Sequence, residues 1–155
     1  MSAGGTLALA LALGDSSVKG VVALGPPTVA PSQVPAHLKS LFKPEENTDS
    51  AIIDGAGMKV YSDAYGAPAD STDVSVLNHA NLAKLPPTYL VVTGKDPLRD
   101  DGIALEQELK AKGVKVKSDH YDGFPHLFWI VPGLETGTTA VNNIVGGINW
   151  VLSEM

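Results

Sequence analysis

Cysteine is absent from the 155-residue chain, which excludes disulfides, thiolate catalysis and cysteine-ligated zinc. Its four histidines, His37, His79, His120 and His126, fall into no H-E-x-x-H or similar ligand spacing, and no metal site is expected. Basic residues are few: 11 Lys and Arg stand against 17 Asp and Glu, for a net charge of -6, with no basic cluster. That balance argues against a nucleic-acid partner. No apolar run approaches the ~18 to 20 residues of a membrane-spanning helix, so no span is expected. The opening MSAGGTLALALALG has no positive charge before Lys19, and it lacks the basic leading region of a signal peptide. A cytoplasmic protein is the expectation.

What is present is a globular composition, 44% hydrophobic and 18% charged, in a chain long enough for one domain with its own core. Residues 6–13 alternate Leu and Ala. The alternation suits a strand, but both are strong helix formers and no β-branched residue follows Thr6. The spacing is read as a helix apolar all round, which expects cover on every side. Residues 18–24, VKGVVAL, read as a buried strand closed by the turn chemistry of GPPTVAP. Between about 32 and 82 the composition turns to polar residues, Gly and Pro. Near the end, Val141, Ile144, Val145, Ile148, Val151 and Leu152 recur at helical spacing, predicting an amphipathic helix over 138–155. Gly146 and Gly147 interrupt it, and a close approach of helix to sheet would account for them.

Residues 85–126 form the informative stretch. The run YLVVT, preceded by Pro86 and Pro87 and stopped by Gly94, reads as a buried parallel strand over 89–93. Asp96 follows its carboxyl end, where open α/β sheets carry functional groups. A helix is predicted over 102–112, with Ile103, Leu105 and Leu109 inward, Asp100 and Asp101 as its caps, and Gly113 as its stop. Residues 114–121 alternate as a half-covered strand, with Val114, Val116, Ser118 and His120 on one face. The turn DGFP then presents His126. Read alone, Asp96 is either a reactive acid or a turn residue before Pro97, and His126 either a base or a locally satisfied histidine. Ser2 reads as an ordinary helix N-cap before Gly4-Gly5.

DPLRDDG, then FPHLFW some thirty residues on, together with the opening SAGG, resemble the acid, base and nucleophile-elbow segments of the hormone-sensitive-lipase-like branch of the α/β-hydrolases, in the order Ser, Asp, His. The loose match DVSVL at 73–77 resembles that family's DPxxSPL-type segment. The resemblance implies an incomplete α/β-hydrolase fold, corresponding to the family's carboxy-terminal part. Three mainly parallel strands with flanking helices would form one partial domain over 1–155, with a cap-like insertion at about 32–82. A flexible linker is the other reading of that interval. The implied activity is a cofactor-free hydrolysis of short-chain carboxylic esters, with Ser2 as nucleophile, His126 as base, Asp96 as the acid that orients it, and the Ala3 N–H as an oxyanion donor. Small-molecule esters would be the substrates.

The family's HGGG-type loop supplies further oxyanion donors, and no HGG occurs in this chain. Each lost donor costs about a hundredfold to a thousandfold in rate, so a weakened enzyme is expected. The alternative is a catalytically inactive remnant of the fold acting as a binding or assembly module. The strand at 18–24 is expected to lack a neighbour on one edge, which invites self-association or pairing with another polypeptide.

Overall fold

The computed structural model describes residues 1–68 and 70–155, and within them the chain forms three parallel strands and four α-helices. The cap-like interval expected over 32–82 is thus described apart from residue 69. The sheet has the order β1 (Val21–Leu24), β2 (Thr88–Lys95), β3 (Val116–Pro125), so β2 is central and β1 is an edge strand. Register runs Val21 to Thr88 on one side and Thr88 to Val116 on the other.

Helices cover both faces, because alternate side chains of a parallel strand each need an apolar partner. On one face lie α1 (Ala3–Gly14) and α3 (Arg99–Ala111), where Leu9, Leu13, Leu105 and Leu109 meet Val21, Ala23 and Leu90. On the other lies α4 (Glu135–Glu154), whose Ile144 and Val151 pack with Leu24, Tyr89 and Val91. Between β1 and β2 the chain forms short 3-10 turns and the helix α2 (Gly55–Tyr65), which has no buried residue.

Several sequence expectations need correction. The first helix exists, but cover on every side does not: Leu9 is wholly buried, whereas Leu7 and Leu11 are 62% and 60% exposed. The sheet takes one face of α1, and no described segment covers the other. The edge strand starts at Val21, not at 18, and Gly20 before it is pressed against Val151 of α4. The third strand begins at Val116 and continues through the DGFP sequence to Pro125, where turn chemistry yields to pairing of Pro125 with Lys95 across an irregularity in the register.

Asp100 and Asp101 do not cap α3. Leu98 holds the cap position and both acids sit in the first turn, reaching other segments. Asp100 Oδ2 accepts the Lys43 N–H at 2.7 Å, and Asp101 Oδ1 accepts the N–H groups of Thr28 and Val29 at 2.6 and 3.1 Å. In α4, Ile144 and Val151 are buried, but Val141, Val145, Ile148 and Leu152 are exposed. Among the described residues no helix is long and apolar enough to cross a membrane.

Candidate active site

Asp96 and His126 leave the carboxyl ends of neighbouring strands β2 and β3. Because parallel pairing aligns those ends, two residues thirty apart in sequence meet. His126 Nδ1 lies 2.6 Å from Asp96 Oδ2, and both side chains are buried. The carboxylate takes two further donors: Leu98 N–H gives to Oδ1 at 2.9 Å and Thr93 Oγ1–H gives to Oδ2 at 2.7 Å. Pro97 has no N–H, so the backbone reaches this carboxylate through Leu98. With Asp96 accepting, Nδ1 carries the imidazole proton and Nε2 is the basic nitrogen. Nε2 is buried and has no hydrogen-bond partner among the described residues.

Ser2 stands at the start of α1 with φ 49° and ψ -134°, a backbone conformation that L-residues avoid. Its side chain makes no capping bond, so the ordinary N-cap reading fails. The turn is held from the sheet: Ser2 N–H donates to the Leu24 carbonyl at the end of β1 at 2.8 Å, and Gly5 N–H returns to the Ser2 carbonyl at 2.7 Å. One turn further, Thr6 Oγ1 donates to the Pro27 carbonyl. Ala3, the first residue of α1, has an N–H with no intrahelical partner, at the positive end of the helix dipole.

Ser2, Ala3 and His126 all line a cleft of about 1730 Å³, mostly apolar, with Phe42, Met58 and Tyr61 of the segment between β1 and β2 among its walls. No hydrogen bond joins Ser2 to His126 Nε2. Catalytic hydrogen bonds are often long before substrate arrives.

The segment between β1 and β2 is fastened beside the acid. Asn47, itself buried, donates from Nδ2 to the Asp96 carbonyl at 3.2 Å, Ser50 Oγ donates to the Lys95 carbonyl, and Arg99 pairs with Glu46 at 3.0 Å. Around the pair sit residues that the sequence reading passed over. Thr93 is one; a lone hydroxyl ending an apolar strand, three residues before an acid, was its signal. Gly25 is another, with φ +56° and its Cα turned toward the imidazole. His120 lies apart, its Nε2 2.8 Å from Glu106 Oε2, a carboxylate that also accepts Ser118 and Lys110. Burial alone would raise the Glu106 carboxyl, but those donors together hold it below the ordinary range. Among the described residues no cluster of metal-ligating side chains occurs.

Comparisons with known proteins give the chain its family. The α/β hydrolase fold family matches residues 1–130. The versiconal hemiacetal acetate esterase of Dothistroma septosporum is 41% identical over 99% of this chain and 50% of its own length, and that of Emericella nidulans 39% over 97% and 57%. Among solved structures, vibralactone cyclase superposes with a TM-score of 0.91 at 26% identity, covering 98% of this chain and 48% of that one. An esterase of Pyrobaculum calidifontis gives 0.78 at 28% identity, with 99% and 52% covered. The chain thus spans about half the length of the curated relatives it matches. With a parallel sheet flanked by helices, an acid and a histidine paired at its strand ends, and these relatives, the chain belongs to the α/β hydrolase fold family, in its hormone-sensitive-lipase-like branch.

Proposed function

We propose that this chain carries the Ser2–His126–Asp96 triad of a serine carboxylesterase acting on short acyl esters. The observation that carries the reading is the buried His126–Asp96 pair, whose Nε2 has no hydrogen-bond partner among the described residues, with His126 and Ser2 lining one cleft. Ser2 Oγ attacks the ester carbonyl carbon as His126 Nε2 takes its proton, and the Ala3 N–H stabilises the oxyanion. The C–O bond then breaks, the leaving alcohol takes the proton from Nε2, and water releases the acid by the same route. Asp96 accepts from Nδ1 and holds the imidazole in the required tautomer. No cofactor is needed. The acetate in the fungal relatives' names and the apolar cleft support short acyl groups.

The domain reading is part of the same proposal: residues 1–155 form one partial domain in which about 32–82 caps the cleft. Within residues 1–155 the Ala3 N–H is the oxyanion donor, and each further donor brought to the site is worth about a hundredfold or more in rate. The edge strand β1, with Leu7 and Leu11 exposed beside it, supports self-association or pairing with another polypeptide. Light scattering at tens of micromolar reads this, and a strictly monomeric species counts against it.

The test of the triad is hydrolysis of p-nitrophenyl acetate together with labelling by a fluorophosphonate probe. The wild-type chain is expected to turn over the ester and to be labelled at Ser2, and Ser2→Ala to lose both. Hydrolysis unchanged in Ser2→Ala removes Ser2 as nucleophile; an unlabelled wild-type chain favours the non-catalytic binding module.

A further inference from the structure

We infer that Thr93 is a positioning residue for the reaction, acting on His126 through Asp96. The inference rests on the triad reading above and adds to it a fourth side chain. Thr93 is the last apolar-face position of β2 before the register breaks, opposite Tyr121 of β3, and is 1% exposed. Its hydroxyl lies 2.7 Å from Asp96 Oδ2, the same oxygen that receives His126 Nδ1 at 2.6 Å.

The arrangement follows from what the chain around Asp96 can offer. A buried carboxylate needs donors on both oxygens. Leu98 N–H serves Oδ1, and Pro97 cannot serve at all. Oδ2 would otherwise depend on the imidazole alone, and that imidazole has to move its proton inventory in every turnover. A hydroxyl on the rigid central strand fixes Oδ2 whatever the charge of His126. It also spreads the carboxylate's negative charge, which tempers how strongly Asp96 favours the protonated, inactive base. Serine at this place would supply the same donor; valine would keep the shape and remove it.

The experiment compares wild type, Thr93→Val and Thr93→Ser in this chain. Three readouts are taken: kcat and KM for p-nitrophenyl acetate, the pH dependence of kcat/KM, and the downfield proton resonance of His126 Nδ1–H, which needs no turnover. In Thr93→Val, kcat is expected to fall by about tenfold to a hundredfold, as for loss of one charge-assisted hydrogen bond. KM should be little changed. The acid limb of kcat/KM should move to higher pH, because a less solvated carboxylate holds the proton on His126 more tightly. The Nδ1–H resonance should shift with it, and Thr93→Ser should restore all three.

Wild-type kcat, an unmoved acid limb or an unmoved resonance in Thr93→Val would overturn the inference. So would a Thr93→Ser variant as impaired as Thr93→Val, since side-chain volume would then be the cause. If the wild-type chain proves inactive, the triad reading fails by the Ser2 test. The catalytic role of Thr93 falls with it, and the resonance then decides only whether Thr93 orders the Asp96–His126 pair: shifted in valine and restored in serine, that ordering stands; unmoved, it falls as well.

Discussion

A Cβ placed on Gly25 would come within 3.1 Å of His126 Cε1 and 3.2 Å of its Nδ1, so the end of β1 forms the floor on which the imidazole rests. The same residue has φ +56°, which costs an alanine roughly 1 to 2 kcal/mol. Gly25→Ala is therefore expected to push the ring off Asp96 and lower kcat about a hundredfold, the usual penalty of a 1 Å misplacement. Esterase assays alongside circular dichroism would check that the fold persists while the rate falls.

Asp96→Asn tests the donor count directly. Three donors converge on this carboxylate, and an asparagine has one oxygen to offer them. Its amide then faces His126 Nδ1 and forces the proton onto Nε2, where it cannot act as base. A loss in kcat of about a thousandfold or more is expected with little change in melting temperature.

Two adjacent glycines of α4 should respond in opposite directions. A Cβ on Gly147 would fall 2.3 to 2.5 Å from the Tyr89 ring, whereas one on Gly146 meets nothing within 4 Å. Gly147→Ala is expected to destabilise by about 1 to 3 kcal/mol through overpacking, and Gly146→Ala to stabilise by up to ~1 kcal/mol. Urea denaturation of both variants measures the pair. Tyr89 is a fixed obstacle because its hydroxyl, pushed up by burial and by Asp119, donates to Asp119 Oδ2 at 2.6 Å.

Asp101 gives the stability a pH dependence of unusual sign. Burial pushes its carboxyl up from 3.8 to about 7, against the opposing pull of the Thr28 and Val29 N–H groups. The native state thus holds a proton that the unfolded chain releases above 3.8. Its contribution is complete below that value and is lost as pH rises through about 7, by no more than about 1.4 kcal/mol per pH unit. Asp101→Asn keeps an acceptor for Thr28 and removes the titration. Melting temperatures of the two proteins between pH 4 and 7 should diverge in slope, the wild type losing ground as pH rises. Depressed carboxyls such as Glu106 and Glu108 act in the opposite sense in acid, and cancel in the comparison.

The strands, the helix between β2 and β3 and the terminal helix were legible because each carries its own period or β-branched run. The meeting of Asp96 with His126 was legible because parallel strands bring their carboxyl ends together, so position in sequence is nearly position in space. What escaped depends on contacts between distant segments. Asp101 reads as a helix cap until Thr28 and Val29 are seen at its oxygen. Leu7 and Leu11 look like core until the sheet is seen to take only one side of α1. The continuation of β3 through Asp122-Gly123 was hidden because a local turn signal lost to pairing with β2.

The backbone tie from Ser2 to Leu24 has a practical corollary. Ser2 is held to the end of β1 one residue after Met1, so an affinity tag joined ahead of Met1 pulls directly on that hydrogen bond and on the bend before α1. Met155, exposed at the far end of the last helix, is the safer place for a handle. Assays on material tagged at opposite ends should differ for this reason alone.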